Sequence, residues 1–154
     1  MRTDKSGFSL MEIFIVMVVL AIIASIAVPK LSQAASQAQC TYLCDALQEV
    51  RSGIALYSAD HDDRYPGSGS ATWVEAMTGR TNSQGDVYTS EMAQAGEKAF
   101  GPYLDCVPKN PYSDLNTVEV TDIDMQMATT TTGWYFNCET GLFRANDLDA
   151  HMNY

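Results

Sequence analysis

The feature that most constrains this chain is an apolar run near its N-terminus. From Phe8 to Val28 there are 21 residues with one charged side chain, Glu12, and two serines. At about 1.5 Å of rise per residue such a helix spans roughly 30 Å, the thickness of the hydrocarbon core of a bilayer. A buried core helix is the alternative, but such helices are seldom apolar on every side. The run therefore predicts a membrane-spanning helix over residues 8–28.

Charges on either side of the run predict its orientation. Arg2 and Lys5 precede it, and Lys30 is the basic residue that closely follows it. Because positive residues tend to stay cytoplasmic, we expect the N-terminus inside and the remainder outside. Residues 30–154 carry seven Lys/Arg against 17 Asp/Glu, and so acidic a surface repels phosphate backbones. No nucleic acid is expected as a direct partner, although other subunits could supply basic contacts in an uptake machine.

The residues at the start of the apolar run form a motif with fixed spacing. Gly7 is followed by Phe8-Ser9-Leu10-Met11-Glu12, and Pro29 stands just beyond the run. This arrangement closely resembles the prepilin N-terminus that type IV pilins and pseudopilins share. The resemblance implies that a prepilin peptidase cuts after Gly7, which makes residues 1–7 a leader peptide. It also implies that the new N-terminal residue, Phe8, is N-methylated.

The same resemblance gives Glu12 and Pro29 roles in assembly. A lone carboxylate within a membrane segment costs about 2.5–3.5 kcal/mol, and in this family its partner is the α-amino group freed by cleavage on a neighbouring subunit. The alternative is that Glu12 reaches water at the membrane interface. Pro29 clashes with the carbonyl of Ser25 and predicts a kink or local opening there. In an anchor the proline marks a boundary, whereas in a filament it lets the N-terminal half bend.

An amphipathic pattern continues the helix beyond Pro29. Apolar positions from Leu43 to Tyr57 recur at steps of three and four, and turn residues begin at about Asp60. We therefore predict that residues 29–60 continue the helix and that residues 61–154 form a globular head. His61 lies among three aspartates, but their spacing differs from that of an EF-hand loop, so a solvated loop is expected.

The head is predicted to contain one or two short helices, one of them at Ser90–Lys98, followed by strands. Thr117–Val120 alternates, and Thr132–Cys138 and Gly141–Asn146 flank a turn. Gly101–Pro111 and the aromatic hairpin resemble the corresponding segments of major pseudopilins of type II secretion systems. The expected fold class is α+β: a long N-terminal helix, membrane-spanning in its first half, packed on a small antiparallel C-terminal sheet, as in type IV pilins.

Four cysteines occur, at positions 40, 44, 106 and 138. Export would permit disulfides, and four cysteines allow three pairings that sequence alone does not distinguish. Cys40 and Cys44 are poorly placed for an unstrained bond inside a regular helix. We predict that Cys106 pairs with Cys138, since both fall in the head.

The resemblance also raises the question of calcium. Major pseudopilins often bind calcium in loops near the C-terminus, and Asp147 and Asp149 are the candidate ligands here. Carboxylate oxygens suit calcium, but acidic loops are also ordinary soluble surface. No other cofactor or metal is expected.

The resemblance implies a structural subunit of a type IV pilin-like filament rather than an enzyme. No Ser/His/Asp set or phosphate-binding loop stands out, and only His61 and His151 could act as bases, both interpreted as surface residues. The expected partners are copies of the chain itself, minor pseudopilins, the prepilin peptidase and the inner-membrane assembly platform. The expected location is the bacterial inner membrane, single pass, with a periplasmic head and assembly into a periplasmic or surface filament. A single-span anchored binding module or enzyme is the alternative.

Overall fold

A computed structural model describes residues 9–124, 127–152 and 154. By its contacts the chain divides into two compact units, Met1–Ala38 and Gln39–Tyr154. Three helices and three strands are formed in the described part: α1 Leu10–Asp60, α2 Trp73–Thr78, α3 Ser90–Gln94, β1 Val118–Thr121, β2 Trp134–Asn137 and β3 Phe143–Ala145. The predicted α+β layout is confirmed in this coarse form: a long apolar N-terminal helix and a small sheet.

The sheet is mixed rather than antiparallel. Its strand order is β1-β2-β3; β1 pairs with β2 in parallel, with Val118 opposite Trp134, and β3 pairs with β2 antiparallel, with Ala145 opposite Trp134. The antiparallel prediction is therefore wrong for the first pair. Residues 122–133 separate β1 from β2, and a connection of about a dozen residues is long enough for the chain to cross back and start beside β1 again.

The core of the second unit lies between α1 and the aromatic side chains of the sheet. One face of α1 is buried at Leu43, Leu47, Val50, Ile54 and Tyr57, the positions that the sequence periodicity marks. The rings of the sheet and of α2 belong to the same core and stack on one another, with the Phe143 centroid 5.3 Å from that of Trp134 and 5.7 Å from that of Trp73. Burying each such side chain contributes about 1.5–3 kcal/mol.

The hairpin of β2 and β3 has the predicted turn. The Asn137 side-chain oxygen accepts hydrogen bonds from the backbone N–H groups of Glu139 and Thr140, both at 2.9 Å. Gly141 completes the turn at φ +71°, and a Cβ added there would lie 2.2 Å from the ring of Tyr65. The turn thus needs glycine for its backbone angle and for space.

The two short helices begin at side-chain caps. At α2 the Thr72 hydroxyl accepts from the Glu75 N–H while the Glu75 carboxylate accepts from the Thr72 N–H, a capping box. At α3 the Thr89 hydroxyl accepts from the N–H of Met92. α3 ends at Gln94, earlier than predicted, ahead of Gly96 at φ +77°.

Candidate functional site

The first unit presents an apolar helical surface. Among the described residues, α1 is the helix long and apolar enough to cross a membrane, judged by its length and composition. Its most hydrophobic window has a mean hydropathy of 2.8 and no buried residue. Large apolar side chains from Leu10 to Leu31 are at least 44% exposed on all sides of the helix. So much unburied apolar surface marks a segment that contacts lipid or other proteins, and single-pass membrane anchoring accounts for it.

Glu12 is the single charged residue of α1 before Lys30, and it lies in the first turn of the helix. Its backbone N–H donates to the carbonyl of Ser9 at 3.0 Å, while its side chain is exposed. A carboxylate is favoured at this end of a helix because free N–H groups carry partial positive charge there. Among the described residues no cation pairs with Glu12. Gly7 and Phe8, the predicted cleavage site and the predicted source of that cation, lie outside the described residues.

Pro29 lies inside α1 without ending it. The helix continues from Leu10 to Asp60, so the predicted local opening near Ala24–Ser25 does not appear as a break in the helix. Because proline has no N–H, the carbonyl of Ser25 loses its usual donor. The side chain of the same residue makes a separate bond: the Ser25 hydroxyl donates to the carbonyl of Ile22 at 2.7 Å.

All four cysteines are free, so the predicted bond between Cys106 and Cys138 is absent. Cys106 is exposed, whereas Cys138 is half-buried and packs against the core. The N–H of Cys138 donates to the carbonyl of Thr121 as the last bond between β1 and β2, which holds this residue on the sheet. Desolvation by neighbouring groups and then the nearby Cys40 thiol raise the pKa of Cys44, whose side chain is exposed.

Asp147 and Asp149, the calcium candidates, are used as hydrogen-bond acceptors within the protein. Asp147 is buried; one of its oxygens accepts from the Asn110 amide at 2.9 Å, and the other lies 2.5 Å from Nδ1 of His151. Asp149 accepts from the N–H of Ala128 at 2.7 Å. Donor groups rather than further oxygens surround the Asp147 carboxylate, and within the described ranges no three acidic, His or Cys side chains converge on a metal position. Their carboxylate oxygens are thus engaged in hydrogen bonds within the protein, and calcium binding by Asp147 and Asp149 stays a prediction.

The two histidines are structural groups that the sequence interpretation placed on the surface. His61 is completely buried; Nδ1 contacts the Tyr57 carbonyl and Nε2 the Thr81 hydroxyl, both at 2.9 Å. His151 is half-buried against Asp147. The surface interpretation is wrong for His61. The last carbonyls of a helix lack N–H donors from the helix itself, and the buried His61 ring bonds to one of them, the carbonyl of Tyr57.

Arg51 is a residue whose role the sequence does not reveal. It lies on α1, half-buried, and donates from Nε and Nη2 to the carbonyl of Phe143 in β3. Burial, followed by the nearby charge of Arg144, lowers the pKa of Arg51. An amphipathic pattern predicts which face of the helix is buried, but not which backbone carbonyl of a distant strand this side chain meets.

No family model matches the chain, and no curated protein or solved structure is significantly similar to it.

Proposed function

We propose that the chain is a structural subunit of a type IV pilin-like filament, of the pseudopilin kind that serves a type II protein secretion system. The observation that carries the proposal is the two-part character of α1. Its first part is apolar and exposed on all sides with Glu12 as the single carboxylate, and its second part buries one face in the core of the head. An anchor explains the apolar surface, whereas a filament also gives the Glu12 carboxylate a partner.

Assembly gives Glu12 a partner. Cleavage after Gly7 frees an ammonium group on Phe8, and the ammonium of one subunit pairs with Glu12 of its neighbour when their helices pack side by side. A carboxylate that enters an apolar bundle without a partner is penalised by several kcal/mol. Processing therefore creates the cation that makes packing favourable, which couples cleavage to assembly.

The same proposal assigns the partners and the location. The leader at 1–7 is recognised by a prepilin peptidase, and the inner-membrane assembly platform extracts the helix into the filament beside minor pseudopilins. The basic residues of the leader stay cytoplasmic, so the head, residues 61–154, faces the periplasm. The work of the subunit is mechanical rather than catalytic.

Intact-mass and N-terminal peptide mass spectrometry test this proposal. The full chain is expressed in bacterial membranes with and without a prepilin peptidase, and the enzyme should remove residues 1–7 and leave Phe8 carrying one methyl group. A chain that keeps Met1 in the presence of the peptidase would support the membrane-anchored module instead. A cut beyond Ala24 would identify residues 8–28 as an ordinary secretory signal and overturn both functions.

A further inference from the structure

The two edge strands of the sheet differ in whether other groups bond to their outward-facing backbone. At the β3 edge the outward carbonyl of Phe143 accepts two hydrogen bonds from Arg51, at 3.1 and 2.9 Å, so α1 covers this edge. The opposite edge is β1, Val118–Thr121. A strand edge exposes backbone donors and acceptors that can pair with another chain, and proteins usually protect such edges.

The backbone N–H and C=O groups of Val118 and Val120 lie on the outer edge of β1, away from β2. The carbonyls of Thr117 and Thr121 accept from the N–H groups of Trp134 and Cys138 on the β2 side. Because successive residues of a strand alternate in direction, the N–H and C=O groups of Val118 and Val120 face away from β2. Within residues 9–124, 127–152 and 154 no group outside β2 bonds to the backbone of these two valines.

Side chains do not close this edge either. β1 contains neither lysine nor proline, the residues that commonly protect edge strands. Its one charged side chain, Glu119, accepts hydrogen bonds from Thr129 and Asn146, at 2.9 and 3.1 Å, and is thereby held within the head. Val120 remains 45% exposed. The strand is short, so an added strand would form only a few backbone bonds and would need side-chain contacts as well.

The surroundings of β1 supply such contacts. A depression of about 530 Å³ adjoins the start of the strand and is lined by apolar and polar groups that include Val74, Val107 and Val118. Exposed carboxylates stand at both ends of the strand, Asp105 in the wall of the depression and Asp122 directly after β1. A segment that lies along this edge therefore meets apolar surface in the middle and negative charge at its ends.

We propose that the outer edge of β1 docks an extended, cationic segment of a partner protein, which adds to the sheet as a fourth strand. Backbone hydrogen bonds to Val118 and Val120 supply affinity, an apolar side chain enters the depression, and lysine or arginine pairs with Asp105 and Asp122. A second copy of this chain is the poorer occupant, because its net charge of −10 would bring like charges together. The inference does not depend on filament assembly, since an anchored monomer would display the same edge.

Binding of model peptides to the full chain in zwitterionic detergent micelles tests the proposal. The probe is a fluorescent, end-blocked peptide of alternating lysine and valine, with an alternating glutamate and valine peptide as its control. Val120→Pro removes an outward N–H that takes no part in pairing with β2, and Val120→Thr keeps it. We expect the cationic peptide to bind at least about tenfold more tightly than the anionic one, and Val120→Pro alone to weaken it by about tenfold or more.

Hydrogen exchange of the unaltered chain provides a second readout that does not depend on the folding of Val120→Pro. Saturating cationic peptide should slow exchange of the Val118 and Val120 amides, with no comparable change in β3. Binding that leaves these two amides unprotected would reduce the effect to general attraction by an acidic surface and overturn the proposal. Equal binding of both peptides, or of neither, would overturn it too, as would self-association of the chain that protects the same amides.

Discussion

Arg51 in α1 and Phe143 in β3 are joined by a forked contact, in which Nε and Nη2 of the guanidinium both donate to one backbone carbonyl, at 3.1 and 2.9 Å. Nη2 also donates to the backbone carbonyl of Tyr154 at 2.5 Å. Arg51 is 92 positions from Phe143 and 103 positions from Tyr154 in the sequence. The contact therefore fixes the helix to the sheet edge and to the last turn of the chain at once.

Replacing Arg51 with methionine should destabilise the head. The substitution keeps most of the apolar stem but leaves the Phe143 carbonyl without a donor in a partly buried place, a loss of about 1–3 kcal/mol. Chemical unfolding of the full chain in micelles, followed by the fluorescence of the buried Trp73 and Trp134, measures this loss. The matched control is Arg80→Met, at an exposed position. Equal losses from the two variants would contradict a specific role for Arg51.

Replacing His61 with phenylalanine should also destabilise the head, although the aromatic volume is retained. The His61 ring stacks on Tyr57 with centroids 3.8 Å apart, and phenylalanine can preserve that contact. It cannot replace the two hydrogen bonds, so the Tyr57 carbonyl and the Thr81 hydroxyl lose their partner. We expect a loss of about 1–3 kcal/mol. The same chemical unfolding measurement, beside the unaltered chain, tests this, and no loss in the His61 variant would show that water replaces the ring nitrogens.

The sequence predicts the parts of this fold that depend on local pattern. The periodicity from Leu43 to Tyr57 predicts the buried face of α1, and the turn residues from Cys138 to Gly141 predict the hairpin. Each of these signals is carried by residues close together in the chain. The parallel pairing of Val118 with Trp134 is not predicted, because a short alternating strand looks the same in either direction.

For the candidate site, too, local patterns could be predicted from the sequence, whereas contacts between distant residues could not. The resemblance of residues 7–12 to a prepilin N-terminus is carried by a local pattern, and the cleavage and pairing that it implies stay predictions. Asp147 could be listed as an acidic residue, but its bond to Asn110 joins residues 37 positions apart and depends on burial. Such contacts arise from tertiary packing, and no spacing in the sequence reports them.

Stability should fall in alkaline solution because of Tyr103. Burial, together with its hydrogen bond to the Asp60 carboxylate at 3.0 Å, raises the pKa of Tyr103 above its ordinary value of 10.0. A raised pKa in the folded state means that this stabilisation is fully present below about pH 10 and is lost as pH rises beyond it. Thermal melting between about pH 8 and about pH 11 should show this fall.

Tyr103→Phe separates this effect from that of the other tyrosines. The variant should melt at a lower temperature near neutral pH, because one hydrogen bond worth about 0.5–1.5 kcal/mol is lost. It should also lose less stability than the unaltered chain above about pH 10, since position 103 no longer titrates. Parallel curves for the two proteins would show that Tyr103 ionises equally in the folded and unfolded states.

Glu12 distinguishes a filament subunit from a membrane anchor. In an anchor, Glu12→Leu removes a costly charge from an apolar segment, so insertion and function should be kept. In a filament subunit the same change leaves the Phe8 ammonium of a neighbour unpaired in the packed bundle, a penalty of several kcal/mol. We therefore expect Glu12→Leu to be inserted and cleaved but absent from polymer.

The measurement is the cross-linked polymer fraction beside the membrane-inserted monomer, with Glu12→Asp as the matched control. Aspartate keeps the charge on a shorter side chain, so this variant should restore part of the polymer that Glu12→Leu loses. If Glu12→Leu polymerises normally, the pairing mechanism is wrong. If Glu12→Asp fails as completely as Glu12→Leu while both are inserted and cleaved, side-chain length rather than charge decides assembly. If Glu12→Asp polymerises and Glu12→Leu does not, assembly requires the negative charge at position 12, which a membrane anchor does not predict.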